Sequence, residues 1–139
     1  MIPEFKNNKL LEQAFIHRSY INENAKTGLI HNERLEFLGD AVLELIVTHA
    51  LYNKFKEAAE GELTAYRAGL VNMNTLSKVA IELGFNDRMM LSKGEQKDTN
   101  SKARQSILAD AYEAFLGALY LDQGYDASRQ FVENTLMPE

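Results

Sequence analysis

The sequence predicts an all-α domain, and three observations carry that prediction. Proline occurs only at Pro3 and Pro138, so no segment between them is barred from helix by proline. Apolar residues recur at three- and four-residue spacings almost throughout, and alternating strand-like patterns are nearly absent. At 139 residues the chain is one domain by length, read as a single unit over 1–139. Folding at that size buries about two-thirds of the unfolded chain's surface without staples.

The elements follow in order. Leu10, Leu11, Ala14 and Phe15 space a first short helix. Residues 22–32 (NENAKTGLIHN) read as a loop by composition. Asn32 is a good N-cap for a helix from 33 to about 55. Residues 62–71 and 74–83 read as two more helices. Asn74 and Thr75 look like the second one's N-cap, and Gly84 closes it. Residues 92–105 (SKGEQKDTNSKARQ) read as a solvated connector carrying Lys93, Lys97, Lys102 and Arg104. SILADAYEAFLGALYL, 106–121, is helical again and is ended by Gly124. A last helix is predicted from about 126 to 136.

Composition excludes several chemistries. The absence of Cys removes disulfides, thiolate ligands and cysteine nucleophiles, and three His argue against a His-rich metal site. Fifteen basic against twenty acidic residues give a net charge of −5, so bulk charge alone disfavours a nucleic-acid partner. No run reaches the ~18 apolar residues of a membrane span, and residues 1–13 hold no apolar signal core. The expected setting is soluble and cytoplasmic, with no membrane contact.

Where the acids sit matters more than how many there are. On a helical wheel at about 100° per residue, Glu33, Glu36, Asp40 and Glu44 fall within an arc of roughly 80°. Leu35, Leu38, Val42, Leu45 and Ile46 cover the far side, and Phe37 and Leu43 flank the acids. A helix apolar on most faces belongs in the centre of a fold. Burying an unpartnered carboxylate there costs several kcal/mol at least. The helix dipole at Glu33 offsets only about 0.3–1 kcal/mol. No Lys or Arg at helical spacing neutralises the stripe, since Arg34 points about 100° away from Glu33. A hard divalent cation, Mg²⁺ with Mn²⁺ as a substitute, is the economical answer for an all-oxygen site.

A second acid pair, Asp110 and Glu113, shares one face of the 106–121 helix. Ala109, Ala111, Ala114, Gly117 and Ala118 around it would let another helix approach closely. Gly39, which costs about 1 kcal/mol in a helix relative to Ala, has the same explanation. The two helices are therefore expected to face each other and share metal between their acids. Spacing alone fits phosphodiester hydrolysis, a di-iron carboxylate bundle or a structural Ca²⁺ site. Di-iron bundles normally use Glu-x-x-His, whereas Glu33 and Asp110 are followed three residues on by Glu36 and Glu113.

NERLEFLGDAVLEL at 32–45 resembles the signature of the ribonuclease III endonuclease domain. FIHRSY at 15–20, EGELTAYRAGLVNMNTLSKVAIELG at 60–84, KGEQK at 93–97 and SILADAYEAFLGALYLDQG at 106–124 extend the resemblance from about residue 7 to 136. The resemblance implies a double-stranded-RNA-specific, metal-dependent endoribonuclease that leaves 5′-phosphate and 3′-hydroxyl ends with short 3′ overhangs. It puts Glu36, Asp40, Asp110 and Glu113 on the catalytic metal-binding positions, with Glu33 and Glu60 as assisting acids. It implies a homodimer in which Phe37 enters a socket of the other subunit, with the RNA cleft between subunits. Asn74, Thr75, Lys93, Lys97, Lys102 and Arg104 become candidate RNA contacts. Ribosomal-precursor, messenger and small-RNA processing are all compatible with it.

The sequence departs from the family in two places. DTNSKARQS stands where members often carry Gly-Gly-Arg, and a Lys there is not an equivalent phosphate fork. The usual C-terminal double-stranded-RNA-binding domain is not in this chain. That suggests an excised catalytic domain in preference to a compact Mini-III-like member. His17, His31 and His49 read as structural, and Tyr20, Tyr52, Tyr66, Tyr112 and Tyr120 as core or interface. A non-catalytic RNA-binding relative of the same fold should lack one of the four acids, and a bare dimerisation module would have no reason to keep them.

Overall fold

The computed structural model describes residues 2–99 and 101–138. Eight α-helices are found among them: α1 Asn8–Gln13, α2 Arg18–Glu23, α3 Glu33–Lys54, α4 Glu60–Val71, α5 Met73–Glu82, α6 Lys93–Lys97, α7 Lys102–Gln123 and α8 Tyr125–Thr135. No strand forms among the described residues; an isolated parallel bridge joins Ile16 to Met90. The all-α expectation holds.

The two 22-residue helices α3 and α7 form the centre. Most of α7 is buried, from Ile107 through Leu119, because its Leu, Ala and Phe residues cover nearly every face. Phe115 lies in the middle of an aromatic cluster. Its ring centroid is 5.4 Å from Phe5, 5.1 Å from Phe85 and 4.9 Å from Phe131, in tilted or edge-on arrangements. Gly84 and Gly124 adopt φ of 81° and 89°, so each ends its helix in a conformation that disfavours other residues.

Several local expectations are corrected. The segment read as a loop from residue 22 begins inside α2 and holds a 3-10 turn at Ala25–Thr27. Asn32 does not cap α3 with its side chain. It is buried, and its amide donates to the Ala14 carbonyl at 2.9 Å, because a buried main-chain carbonyl needs a donor more than an exposed helix end does. The N-cap of α5 is Asn72, whose Oδ1 accepts from Thr75 N–H at 2.9 Å; Asn74 and Thr75 already lie inside the helix. The presumed connector 92–105 contains α6, capped by Ser92, and the first turn of α7, capped by Ser101. Nor is α3 buried on all its apolar faces: Phe37 is 83% exposed, Leu45 58% and Tyr52 69%.

Candidate metal centre

The site is made by one helix crossing. A Cβ on Gly39 would overlap the Glu113 carbonyl, and one on Gly117 would overlap the Leu35 carbonyl. The backbones of α3 and α7 are therefore in direct contact, as the small residues predict. Glu36 and Asp40 flank Gly39 on α3, while Glu113 is the residue touched on α7 and Asp110 lies one turn before it. The contact that excludes side chains thus gathers the acids beside it.

One carboxylate oxygen from each of Glu36, Asp110 and Glu113 lies within 4.8 Å of the others, and all three residues are half-buried. Asp40 is exposed and falls outside that trio, but it borders it through a carboxyl–carboxylate hydrogen bond with Glu113. Burial, then this bond and the Asp40 charge, push Glu113 up to about 9. Burial, then the Asp110 charge, push Glu36 up to about 7. Asp110 is also raised by burial, with Glu36 as a hydrogen-bond partner and Arg18 partly opposing the shift. Three half-buried carboxylates that resist ionising together could bind a metal ion, and their all-oxygen donors fit a hard cation.

The ends of the acidic stripe behave differently from its middle. Glu33 accepts from Arg18 Nη1 at 2.7 Å, which holds its carboxyl below the usual range. Glu44 lies 4.0 Å from Arg67 Nε of α4. No basic residue of α3 itself pairs with the stripe at helical spacing, yet both of its ends meet an arginine from another helix. These cations come from α2 and α4, so spacing along α3 does not reveal them. The middle, Glu36 with Asp110 and Glu113, keeps its repulsion.

Glu60, at the exposed start of α4, lines a cleft with Thr48, Tyr52 and Arg67. Thr48 is twelve residues past Glu36, or about 18 Å along α3, so Glu60 does not join the trio of its own protomer. Lys93, Lys97 and Lys102 are exposed, as is Asn74. Thr75 is tied inward, its hydroxyl donating to the Gly69 carbonyl at 3.3 Å. Arg104 is not a surface cation. It is 6% exposed, and its guanidinium donates to Asn86 Oδ1 at 2.7 Å and to the Glu95 carbonyl at 2.6 Å. It pins α6 to the start of α7 from inside and is withdrawn from the candidate RNA contacts.

His17 has a structural place. Its Nδ1 accepts from Ser19 N–H at 3.2 Å and caps α2, and burial lowers its pKa, so the neutral ring is favoured. Tyr112 is fully buried, stacks on Phe131 and shares a 2.8 Å hydrogen bond with Thr135. Spacing along the sequence reveals neither the pairings of Arg18 and Arg67 nor the interior place of Arg104. The His-Arg-Ser-Tyr segment held the signal for Arg18 only by adjacency.

The chain has relatives among known proteins. Residues 7–139 match the Ribonuclease-III-like family. Ribonuclease 3 of Enterococcus faecalis is 51% identical over 97% of this chain and 58% of its own length. Ribonuclease 3 of a Geobacillus species is 52% identical over 97% of this chain and 54% of its own. The chain thus spans between half and three-fifths of the length of these relatives. The nuclease domain of Campylobacter jejuni ribonuclease III superposes with a TM-score of 0.85 at 38% identity, covering 97% of this chain and 90% of that one. A Dicer from Pichia stipitis gives 0.73 at 34% identity, over 99% of this chain and 57% of that one. With the helix crossing and its acid trio, these matches make the chain a member of the Ribonuclease-III-like family.

Proposed function

We propose that this chain is the catalytic unit of an endoribonuclease that hydrolyses phosphodiesters of double-stranded RNA in a Mg²⁺-dependent reaction. The observation that carries the reading is the convergence of Glu36, Asp110 and Glu113, with Asp40 at the exposed edge. Mg²⁺, or Mn²⁺ in its place, held by these four residues would make water ionisable near neutral pH and stabilise the departing 3′-oxygen. The chain's own part is to fix the carboxylates through the Gly39 crossing and to keep the trio half-buried. The exposed Asp40 edge is the side open to substrate. The products expected are 5′-phosphate and 3′-hydroxyl ends with short 3′ overhangs.

Exposed apolar residues on α3 support a homodimer. Phe37, Leu45 and Tyr52 lie within about 80° of one another on the wheel, a stripe that a second copy can cover. The C. jejuni structure is described as having a region involved in dimer formation. In such a dimer Glu60 would lie near the partner's site or the cleft. RNA would be held by shape, phosphates and 2′-hydroxyls, with Asn74, Lys93, Lys97 and Lys102 as contacts and little base readout. No described helix is long and apolar enough to cross a membrane, and a cytoplasmic setting fits RNA processing. Incubating the chain with long duplex RNA tests the reading. Trimming in Mg²⁺ that stops in EDTA is expected; substrate unchanged in both would overturn it.

A further inference from the structure

We propose that Arg18 is a phosphate-binding residue at the rim of the acid site, held in reserve by Glu33 and released to the RNA backbone beside the scissile position. The inference rests on the endoribonuclease reading above. Arg18 is the first residue of α2, and its guanidinium lies at the N-terminal end of the acidic stripe, 2.7 Å from Glu33. Its side chain is 64% exposed and that of Glu33 is 44% exposed, so the pair is open to solvent and to a ligand. Exposed pairs of this kind contribute little, and a phosphate matches the guanidinium fork as well as a carboxylate does. The field of Arg18 also reaches Asp110 and Glu36, which places the cation toward the acids that would bind metal.

The other arginines with assigned partners are engaged elsewhere. Arg67 donates to Thr48 and faces Glu44, Arg129 pairs with Glu133, Arg88 lies over the Phe15 ring, and Arg104 is interior. The base of Arg18 is rigid. His17 N–H donates to the Met90 carbonyl at 3.1 Å, and Ser92 N–H donates to Ser19 Oγ at 3.0 Å, so α2 is fixed to the segment that leads into α6. A rigidly based, solvent-facing fork beside a metal-binding cluster suits a phosphate next to the one that is cut.

The test is binding of a duplex RNA in EDTA across a salt series by the wild-type chain and by Arg18→Ala, Arg18→Lys, Glu33→Gln and Arg129→Ala. Losing one phosphate contact should lower the log–log salt slope by about 0.9 in Arg18→Ala. Arg18→Lys should recover the slope but not the full affinity, since a point charge replaces a fork. Glu33→Gln should bind more tightly than wild type, and Arg129→Ala should match it. An unchanged slope in Arg18→Ala, beside a wild-type chain that cuts duplex RNA in Mg²⁺, would overturn this role alone. A wild-type chain that neither binds nor cuts duplex RNA would overturn the endoribonuclease reading with it.

Discussion

Gly39 of α3 packs its Cα directly on the main-chain carbonyl of Glu113 in α7, with no space for a methyl group between them. Neither neighbour can yield, because both are helical backbone. Gly39→Ala is expected to cost about 3 kcal/mol, the upper part of the range for overpacking, and to separate Glu36 from Asp110 and Glu113. Urea unfolding checks the magnitude; a loss under about 1 kcal/mol would mean that the helices adjust freely. Gly117→Ala, against the Leu35 carbonyl, should behave alike.

The raised carboxyls make the metal-free protein pH-sensitive in a stated direction. Glu113 in the folded chain holds its proton up to about 9, and Glu36 to about 7, while unfolding returns both toward the ordinary glutamate value of about 4.3. Between those limits the folded state binds more protons than the unfolded one. Stability therefore falls as pH rises through that window. In EDTA, the Tm should fall from pH 5 to pH 9, and Glu113→Gln should flatten that fall and raise the Tm at the alkaline end. Mg²⁺ should restore stability most at high pH and release protons on binding near pH 7. A metal-free Tm that climbs from pH 5 to pH 9 would contradict the site's electrostatics.

The parts of this molecule legible in its sequence are those governed by local spacing. The Leu and Ala periodicity of 33–55 and 106–121 locates both central helices, short of the first turn of α7, and Gly39 with Gly117 signals their close contact. Residues answering to distant partners were misread. Asn32 looks like a cap but turns inward to the Ala14 carbonyl, eighteen positions away. Arg104 looks like a surface cation in a polar stretch, yet it is buried against Asn86 and Glu95. Arg18 reaches Glu33 across a loop whose path spacing rules do not describe. Leu45 and Phe37 follow an apolar pattern but stay exposed, since periodicity does not distinguish a core position from an apolar surface position.

Arg104 should be a strong stability determinant. Arg104→Ala removes two short hydrogen bonds from a charged donor and leaves the Asn86 and Glu95 acceptors without it, so a loss of about 3 kcal/mol is expected. Arg104→Lys, which cannot span both acceptors, should recover less than half. Chemical denaturation of the two variants checks this, and near-wild-type stability in the Ala variant would return the residue to the surface.

Phe37 should control assembly without supporting the protomer. With 83% of its surface exposed it adds little to its own core. Phe37→Glu is expected to yield a monomer by sedimentation at micromolar concentration with an unchanged circular-dichroism spectrum. Should the wild-type chain sediment as a dimer and this variant sediment alike, Phe37 would be excluded as the anchor.

Glu113→Gln should lose at least 100-fold in cleavage rate while duplex binding changes only a few-fold, since phosphate contacts govern affinity. Single-turnover cleavage together with a binding titration separates the two. Normal cutting by this variant in Mg²⁺ would remove Glu113 from the chemistry.

On the proposed reading, Glu36, Asp110 and Glu113 are gathered to hold a divalent ion. Anomalous diffraction from a Mn²⁺-soaked crystal tests it most directly. A peak within ligand distance of all three carboxylates is the predicted result. A crystal showing the three side chains turned apart into solvent, with no peak between them, would contradict it.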